Sequence, residues 1–309
     1  MGGSKHDVCL RSSARTSIGR VRENNEDTVH LWANDHFALA VVADGMGGAA
    51  AGEEASRLAV EAVAAGLHMT DANAGASFNL MSDETIIEQL RAAIHAGNNS
   101  IVERAASNPQ LRGMGTTVTL ALVRGLQALI AHVGDSRAYL VESRTRHITQ
   151  ITADHSFVEA LVSAGHLTEE QAEEHPMRNV LYRALGQAGE IDVDVFEVRL
   201  SVNDRIILCT DGLTRHVKPQ EIAQITLNHD DPDVAVDALV ELANARGGED
   251  NISVILIQAA GTQNDPDDAS TVELKQIPLD KEIIDVRQPP QNEQDAREGE
   301  GRDTLTPEQ

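Results

Sequence analysis

Five acidic positions fall where apolar strand-like runs meet their loops. Three runs end in aspartate: Leu39-Ala-Val-Val-Ala-Asp44-Gly45, Ile130-Ala-His-Val-Gly-Asp135-Ser136 and Ile206-Ile-Leu-Cys-Thr-Asp211-Gly212. Two more begin with acids, Glu26-Asp27 before Thr-Val-His-Leu-Trp32 and Glu249-Asp250-Asn251 before Ile252-Ser-Val-Ile-Leu-Ile257. An Asp-Gly pair after a strand is also a common turn signal. Turns draw on Asn, Ser and Gly as well, however, and five strands all choosing Asp at one end fit turn chemistry weakly. In an antiparallel sheet the C-terminal ends of some strands lie beside the N-terminal ends of their neighbours, so all five acids can meet on one rim.

Converging carboxylates repel one another unless cations or protons neutralise them. The donors are oxygens, with no CxxC and no paired-His spacing. The cation that suits them is therefore hard, Mn2+ or Mg2+ rather than Zn2+. Two such ions about 4 Å apart activate a bridging water, clamp phosphoryl oxygens and allow in-line displacement at phosphorus. A phosphate substrate also calls for a guanidinium, which can hold it bidentately. Arg22 lies four residues before Glu26, close enough in the chain to reach the same rim. Residue chemistry alone thus reaches a di-metal phosphoester hydrolase. The twelve histidines are scattered and read as structural or exposed.

The elements that must position these groups follow from periodicity. Strands are predicted over Val8–Thr16, Thr28–Trp32, 37–43, Thr117–Val123, Leu126–Val133, Arg137–Val141, Ile191–Leu200, Arg205–Thr210 and Ile252–Ile257. A helix is predicted over Gly52–Leu67, with Ala55, Leu58, Ala59, Ala62 and Val63 on one face. A second starts at the N-cap Ser82, and two more are expected from Pro219 and over Val234–Arg246. The stretch Asp154–Gly189 reads as helical and polar, with a capping-box spacing at Thr168-Glu-Glu-Gln171. Strands, helices, strands, helices, strand is no regular βαβ alternation. It predicts an α+β chain with an antiparallel sheet-on-sheet core flanked by helices.

Composition bounds the alternatives. Of 309 residues, 41% are hydrophobic but only 2% aromatic, so the core must be aliphatic and stacking platforms for bases are few. The formal charge of −24 repels nucleic acid and anionic lipid, which argues against both as partners. Two distant cysteines, Cys9 and Cys209, suit a reducing compartment. No apolar leader or membrane-length window is found, and a cytoplasmic location is expected. From residue 261 the chain turns acidic and Pro/Gln/Asn-rich, with 13 acidic against 5 basic residues, leaving −16 on residues 1–260. The expectation is a catalytic domain over 1–260 and a disordered tail over 261–309, whose apolar patch from Leu274 to Val286 could hold one small docking segment.

The ordered motifs resemble protein phosphatase 2C, in its bacterial branch. They are Arg22-Glu-Asn-Asn-Glu26-Asp27, Ala43-Asp44-Gly45-Met-Gly-Gly48, Gly115-Thr-Thr117, Gly134-Asp-Ser-Arg137, Ala153-Asp-His-Ser156, Arg183-Ala-Leu-Gly186, Thr210-Asp211-Gly212-Leu213 and Asp250-Asn251. The resemblance implies a four-layer α-β-β-α sandwich: a central antiparallel β-sandwich, helices on both outer faces, and a metal centre at one end. It implies metal-dependent hydrolysis of phosphoserine and phosphothreonine on proteins, with a bacterial Ser/Thr kinase and its substrates as partners. By the same resemblance Asp44 bridges two metals and the carbonyl of Gly45 helps hold the second. Asp211 and Asp250 hold the first, while Glu26 and Asp27 serve the second, directly or through water. Arg22 takes the phosphate, Asp135 matches a ligand of a third, weaker metal, and segment 154–189 matches a flap beside the site.

Two positions depart from the family pattern. Met46 stands where animal relatives have a histidine proposed as general acid, so protonation of the leaving group falls to water. Arg215 stands where many relatives have an aspartate, which predicts weaker third-metal binding and lower turnover. A catalytically weak or inactive phosphoprotein-binding regulator of the same fold is the alternative; the presence of Arg22, Asp44, Asp211 and Asp250 weighs against it. A hydrolase of small phosphoesters differs only in substrate, and a purely structural acidic domain leaves the carboxylate placement unexplained.

Overall fold

The computed structural model describes residues 8–69, 74–261 and 274–277. The first half runs through strands β1 (Cys9–Ser17), β2 (Asp27–Asn34) and β3 (Phe37–Met46), then helices α1 (Ala49–Gly66), α2 (Ala74–Phe78) and α3 (Asp83–Ser107). Strands β4 (Gly115–Thr116), β5 (Val118–Arg124), β6 (Gln127–Val133), β7 (Arg137–Val141) and β8 (Ile148–Gln150) follow. Next come short helices α4 (Phe157–Ser163) and α5 (Glu169–Glu173), strands β9 (Asp194–Arg199) and β10 (Arg205–Cys209), and the single turn α6 (Asp211–Thr214). Helices α7 (Pro219–Asn228) and α8 (Pro232–Ala245) lead into β11 (Ile252–Ala260), and β12 (Leu274–Ile277) is the last described element.

Two antiparallel sheets carry the fold. One has the order β1-β11-β10-β7-β8, and the other β12-β9-β6-β5-β3-β2 with β4 paired to β3. The unbroken apolar run of β3 is explained by cover on both faces. Phe37, Leu39, Val41 and Ala43 pack with residues of α1 and α3 such as Val63, Leu90 and Ile94. Ala38, Ala40 and Val42 turn the other way, into the inter-sheet core with Leu140, Leu208, Ile255 and Ile257. On the far side Tyr139, Ile207 and Leu256 meet Ile222, Val236 and Leu239 of α7 and α8. The result is the four-layer α-β-β-α sandwich. Its core is aliphatic as composition requires: Tyr139 is the only ring among the largest fully buried side chains described. Each buried Leu or Ile contributes about 1.5–3 kcal/mol relative to an exposed one.

Three departures from the expected elements have local causes. The helical reading of 154–189 holds only for α4 and α5. Gly165, at φ +73°, closes α4 in a left-handed turn, with its amide on Val162 and that of His166 on Leu161; Pro176 stops any continuation after α5. Asp211 opens a helical turn rather than ending a strand. Leu274–Ile277, inside the acidic C-terminal stretch, adds an edge strand to β9. The remaining residues of that stretch after 261, where a disordered tail was expected, lie outside the described residues. Among the described residues no helix is long and apolar enough to cross a membrane.

Candidate functional site

The sheet register carries the acids to one end of the sandwich. Asp27 and Asp44 face each other as partners across β2 and β3. Asp135 follows β6, which runs parallel to β3 through their common neighbour β5. In the opposite sheet Asp211 follows β10 and Asp250 precedes β11, and these strands are antiparallel neighbours.

Polar side chains hold this rim together. Asp27 Oδ2 accepts the hydroxyls of Thr210 at 2.9 Å and Ser253 at 2.7 Å, a bond from one sheet to the other. Asn251 braces the loop before β2: its Oδ1 accepts the Glu26 amide at 2.8 Å, and its Nδ2 donates to the carbonyls of Ile18 and Asn24. Thr117 fixes Asp44 through both backbone groups, its hydroxyl accepting from the Asp44 amide and its own amide donating to the Asp44 carbonyl. Glu26 lies against α1, where a Cβ on Gly52 would overlap Glu26 Oε2. Only glycine leaves that carboxylate its place.

The electrostatics record the crowding. Burial, then the charges of Asp27, Asp211, Asp135 and Asp250, hold the Asp44 carboxyl well above the usual carboxylate range. Burial pushes Asp27 up to about 7 despite the two hydroxyls, and pushes Asp135 up to about 8 with Asp211 adding to it. Asp211 is raised by burial and by Asp250, against the pull of Arg215. Burial also raises Glu26, opposed by Arg22. The five aspartates therefore form one interacting set, as their placement on strand ends predicts.

Two guanidiniums touch the set. Arg22 Nη2 donates to Asp250 Oδ2 at 2.9 Å. Arg215 bonds Asp211 Oδ2, lies 3.5 Å from Asp250 Oδ2, and donates to Asn179 at 3.3 Å. With these oxygens engaged, no three His, Cys, Asp or Glu side chains among the described residues stand as an assembled metal-holding group. The donor set nevertheless fits hard divalent ions. Asp27 Oδ1 and Asp211 Oδ1 are buried without a hydrogen-bond partner, and a cation answers both those oxygens and the mutual repulsion.

The profile of protein phosphatase 2C matches residues 16–254, the stretch that holds every site residue above. The chain belongs to the protein phosphatase 2C family. A serine/threonine phosphatase, stp, of Listeria monocytogenes serovar 1/2a is 39% identical over 259 residues, 84% of this chain and 99% of that one. The crystal structure of the Mycobacterium tuberculosis serine/threonine phosphatase PstP/Ppp superposes with a TM-score of 0.70 at 38% identity, over 82% of this chain and 99% of that chain. A catalytic domain of PstP solved with two manganese ions gives a TM-score of 0.68 at 37% identity, again over 82% and 99%.

Several residues at the site are not named by the acidic pattern. Gly52, Thr117, Thr210, Asn251 and Ser253 all position the acids. Ser253 carried a usable signal, being the lone hydroxyl in the otherwise apolar run from Ile252 to Ile257. His155, inside Ala153-Asp-His-Ser156, is another. It accepts the amide of Gly134 beside Asp135 and bonds Asp194 at 3.0 Å through its other nitrogen, which ties segment 154–189 to the rim.

Proposed function

We propose that this phosphatase 2C protein hydrolyses phosphoserine and phosphothreonine on proteins at the rim of its β-sandwich. Two Mn2+ or Mg2+ ions would be held there by Asp211 and Asp250 on one side and by Glu26, Asp27 and the Gly45 carbonyl on the other, with Asp44 between. The observation that carries the reading is the interacting set of five aspartates with two orphaned carboxylate oxygens, on a fold whose manganese-bound relative is a named phosphatase. Such ions, when bound, lower the pKa of a water and polarise the phosphoryl group.

The chain's own residues supply the rest. Arg22 is half-exposed in the β1–β2 loop and can turn its fork from Asp250 to a phosphate without moving the sheet. Met46 carries no proton to give, so the leaving serine or threonine oxygen takes its proton from water. Segment 154–189 exposes Phe157, Met177, Val180 and Tyr182, an apolar surface suited to the residues flanking a phosphorylated side chain. Partners of this kind are proteins phosphorylated by a bacterial Ser/Thr kinase, and a cytoplasmic location is consistent with them. Asp135, whose charge is partly answered by Arg215, supports at most a weak third ion. Residues 1–260 form the catalytic domain in this reading.

Phosphate release from a phosphothreonine peptide, with Mn2+ and with EDTA, tests it. Manganese-dependent release by the wild type that falls by orders of magnitude in Asp44→Asn is expected. No release with either metal across several phosphopeptides would move the reading to the phosphoprotein-binding alternative.

A further inference from the structure

Arg215 is a charged group in direct contact with the rim acids that the proposed reaction leaves unused. It caps α6 four residues after Asp211, so one helical turn folds its guanidinium back over the carboxylates. There it bonds Asp211 Oδ2 and stands 3.5 Å from Asp250 Oδ2, the oxygen that also accepts Arg22. The same Nη2 reaches Asn179 Oδ1 at 3.3 Å, in segment 154–189, and a second tie joins Lys218 to Glu173 of that segment.

We infer that Arg215 is a built-in counter-cation of the Asp211–Asp250 pair, competing with a divalent ion for it, and that through Asn179 it transmits the pair's occupancy to segment 154–189. The inference rests on the two-metal reading above. An exposed ion pair would mean little, but these carboxylates are only 18% and 16% exposed and need neutralising in the metal-free protein. A guanidinium bonded to Asp211 Oδ2 and a divalent ion at about 2.1–2.5 Å from the same carboxylate repel each other. Loading therefore displaces Arg215 towards solvent, where 29% of its side chain already lies, and Asn179 loses its donor. Segment 154–189 then keeps the Lys218–Glu173 and His155 ties but is freed at Asn179.

Calorimetric titration of Mn2+ into the metal-free full chain tests the competition, with hydrogen exchange over 154–189 as a second readout. Arg215→Ala is expected to bind Mn2+ about tenfold tighter, the worth of one charge-assisted hydrogen bond, while its metal-free form melts lower than wild type. Arg215→Lys, which keeps the charge and loses the fork, should fall between. In the wild type Mn2+ should speed exchange around Asn179; in Arg215→Ala and Asn179→Ala exchange there should be fast from the start and insensitive to metal. Equal or weaker Mn2+ binding by Arg215→Ala, against a binding wild type, would overturn the competition. Metal-insensitive exchange in the wild type would overturn the coupling. A wild type that binds no Mn2+ would instead overturn the two-metal reading itself.

Discussion

Asp27 and Asp44 are cross-strand partners at the rim, and Asp27 ties the pair to the opposite sheet through the hydroxyls of Thr210 and Ser253. One carboxylate thus has two jobs on two oxygens. Oδ2 closes the sandwich, and Oδ1, buried with no hydrogen-bond partner, is the oxygen left for the proposed cation.

Those jobs separate by substitution. Asp27→Asn keeps an oxygen for the two hydroxyls and removes a buried charge, so its metal-free melting temperature should equal or exceed that of wild type. Its manganese-dependent phosphatase activity should nonetheless fall. Asp27→Ala strands both hydroxyls, and leaving a buried polar group unpaired costs about 1–3 kcal/mol each. A destabilised Asn variant with normal activity would make Asp27 purely structural.

Gly52→Ala tests the packing of α1 on the rim. Alanine favours a helix over glycine by about 1 kcal/mol, yet a Cβ here overlaps Glu26 Oε2 and meets the Gly45 carbonyl carbon at 2.9 Å, a backbone atom that cannot yield cheaply. The variant should melt lower than wild type and need more Mn2+ for half-maximal activity. Normal metal dependence would show that the Glu26 carboxylate is free to move without consequence.

The strands, a sheet-on-sheet core with helices and the acids on one rim were legible because each rests on local signals: alternation, unbroken apolar runs, and acids at strand ends. The four layers came with the family resemblance. Asp44 and Asp211, each followed by glycine, read singly as turns and became a site only beside the other acids. What was not legible depends on contacts between distant segments. Nothing in the run Ile252–Ile257 says that Ser253 will meet Asp27, 226 residues away. The apolar patch from Leu274 marked a docking segment, but nothing in it names the free edge of β9 as the place where Leu274–Ile277 will pair. The overlong helical reading of 154–189 failed because polar composition with scattered Leu and Val mimics an amphipathic helix, whereas Gly165 and Pro176 cut it.

The carboxylate set makes the metal-free protein sensitive to pH. Unfolded, these carboxyls titrate near pH 4, whereas in the fold Asp27 is pushed up to about 7 and Asp135 to about 8. Between those limits the folded state holds more protons, so stability falls as pH rises and levels off above about pH 8. His132 opposes this: burial lowers it to about 3, so it withdraws stability as pH falls below about 6.5. Asp27, Asp44, Asp135, Asp211 and Glu26 are all raised, against the two lowered imidazoles of His132 and His30, so the net slope follows the carboxylates. Thermal melts in EDTA should show it, and Asp135→Asn should melt higher than wild type at pH 8 but not at pH 5. A flat profile would mean that the fold does not raise these carboxyls.

Arg22 offers the test closest to the chemistry. Its guanidinium is held at the rim by Asp250 and remains half-exposed, so removing it disturbs one ion pair and no core packing. If its task is to hold the phosphate, Arg22→Ala should lower kcat/KM for a phosphothreonine peptide by roughly 10- to 100-fold, the worth of one or two hydrogen bonds to a charged group. Arg22→Lys should recover only part of the loss, because an ammonium keeps the charge without the bidentate fork. Because Arg22 bonds Asp250 Oδ2, Arg22→Ala should bind Mn2+ no more weakly than wild type, and Arg22→Lys should stay closer to it. A loss of metal binding equal to the loss of activity would instead make Arg22 a brace for Asp250, and substrate phosphate would then need another cationic partner at the rim.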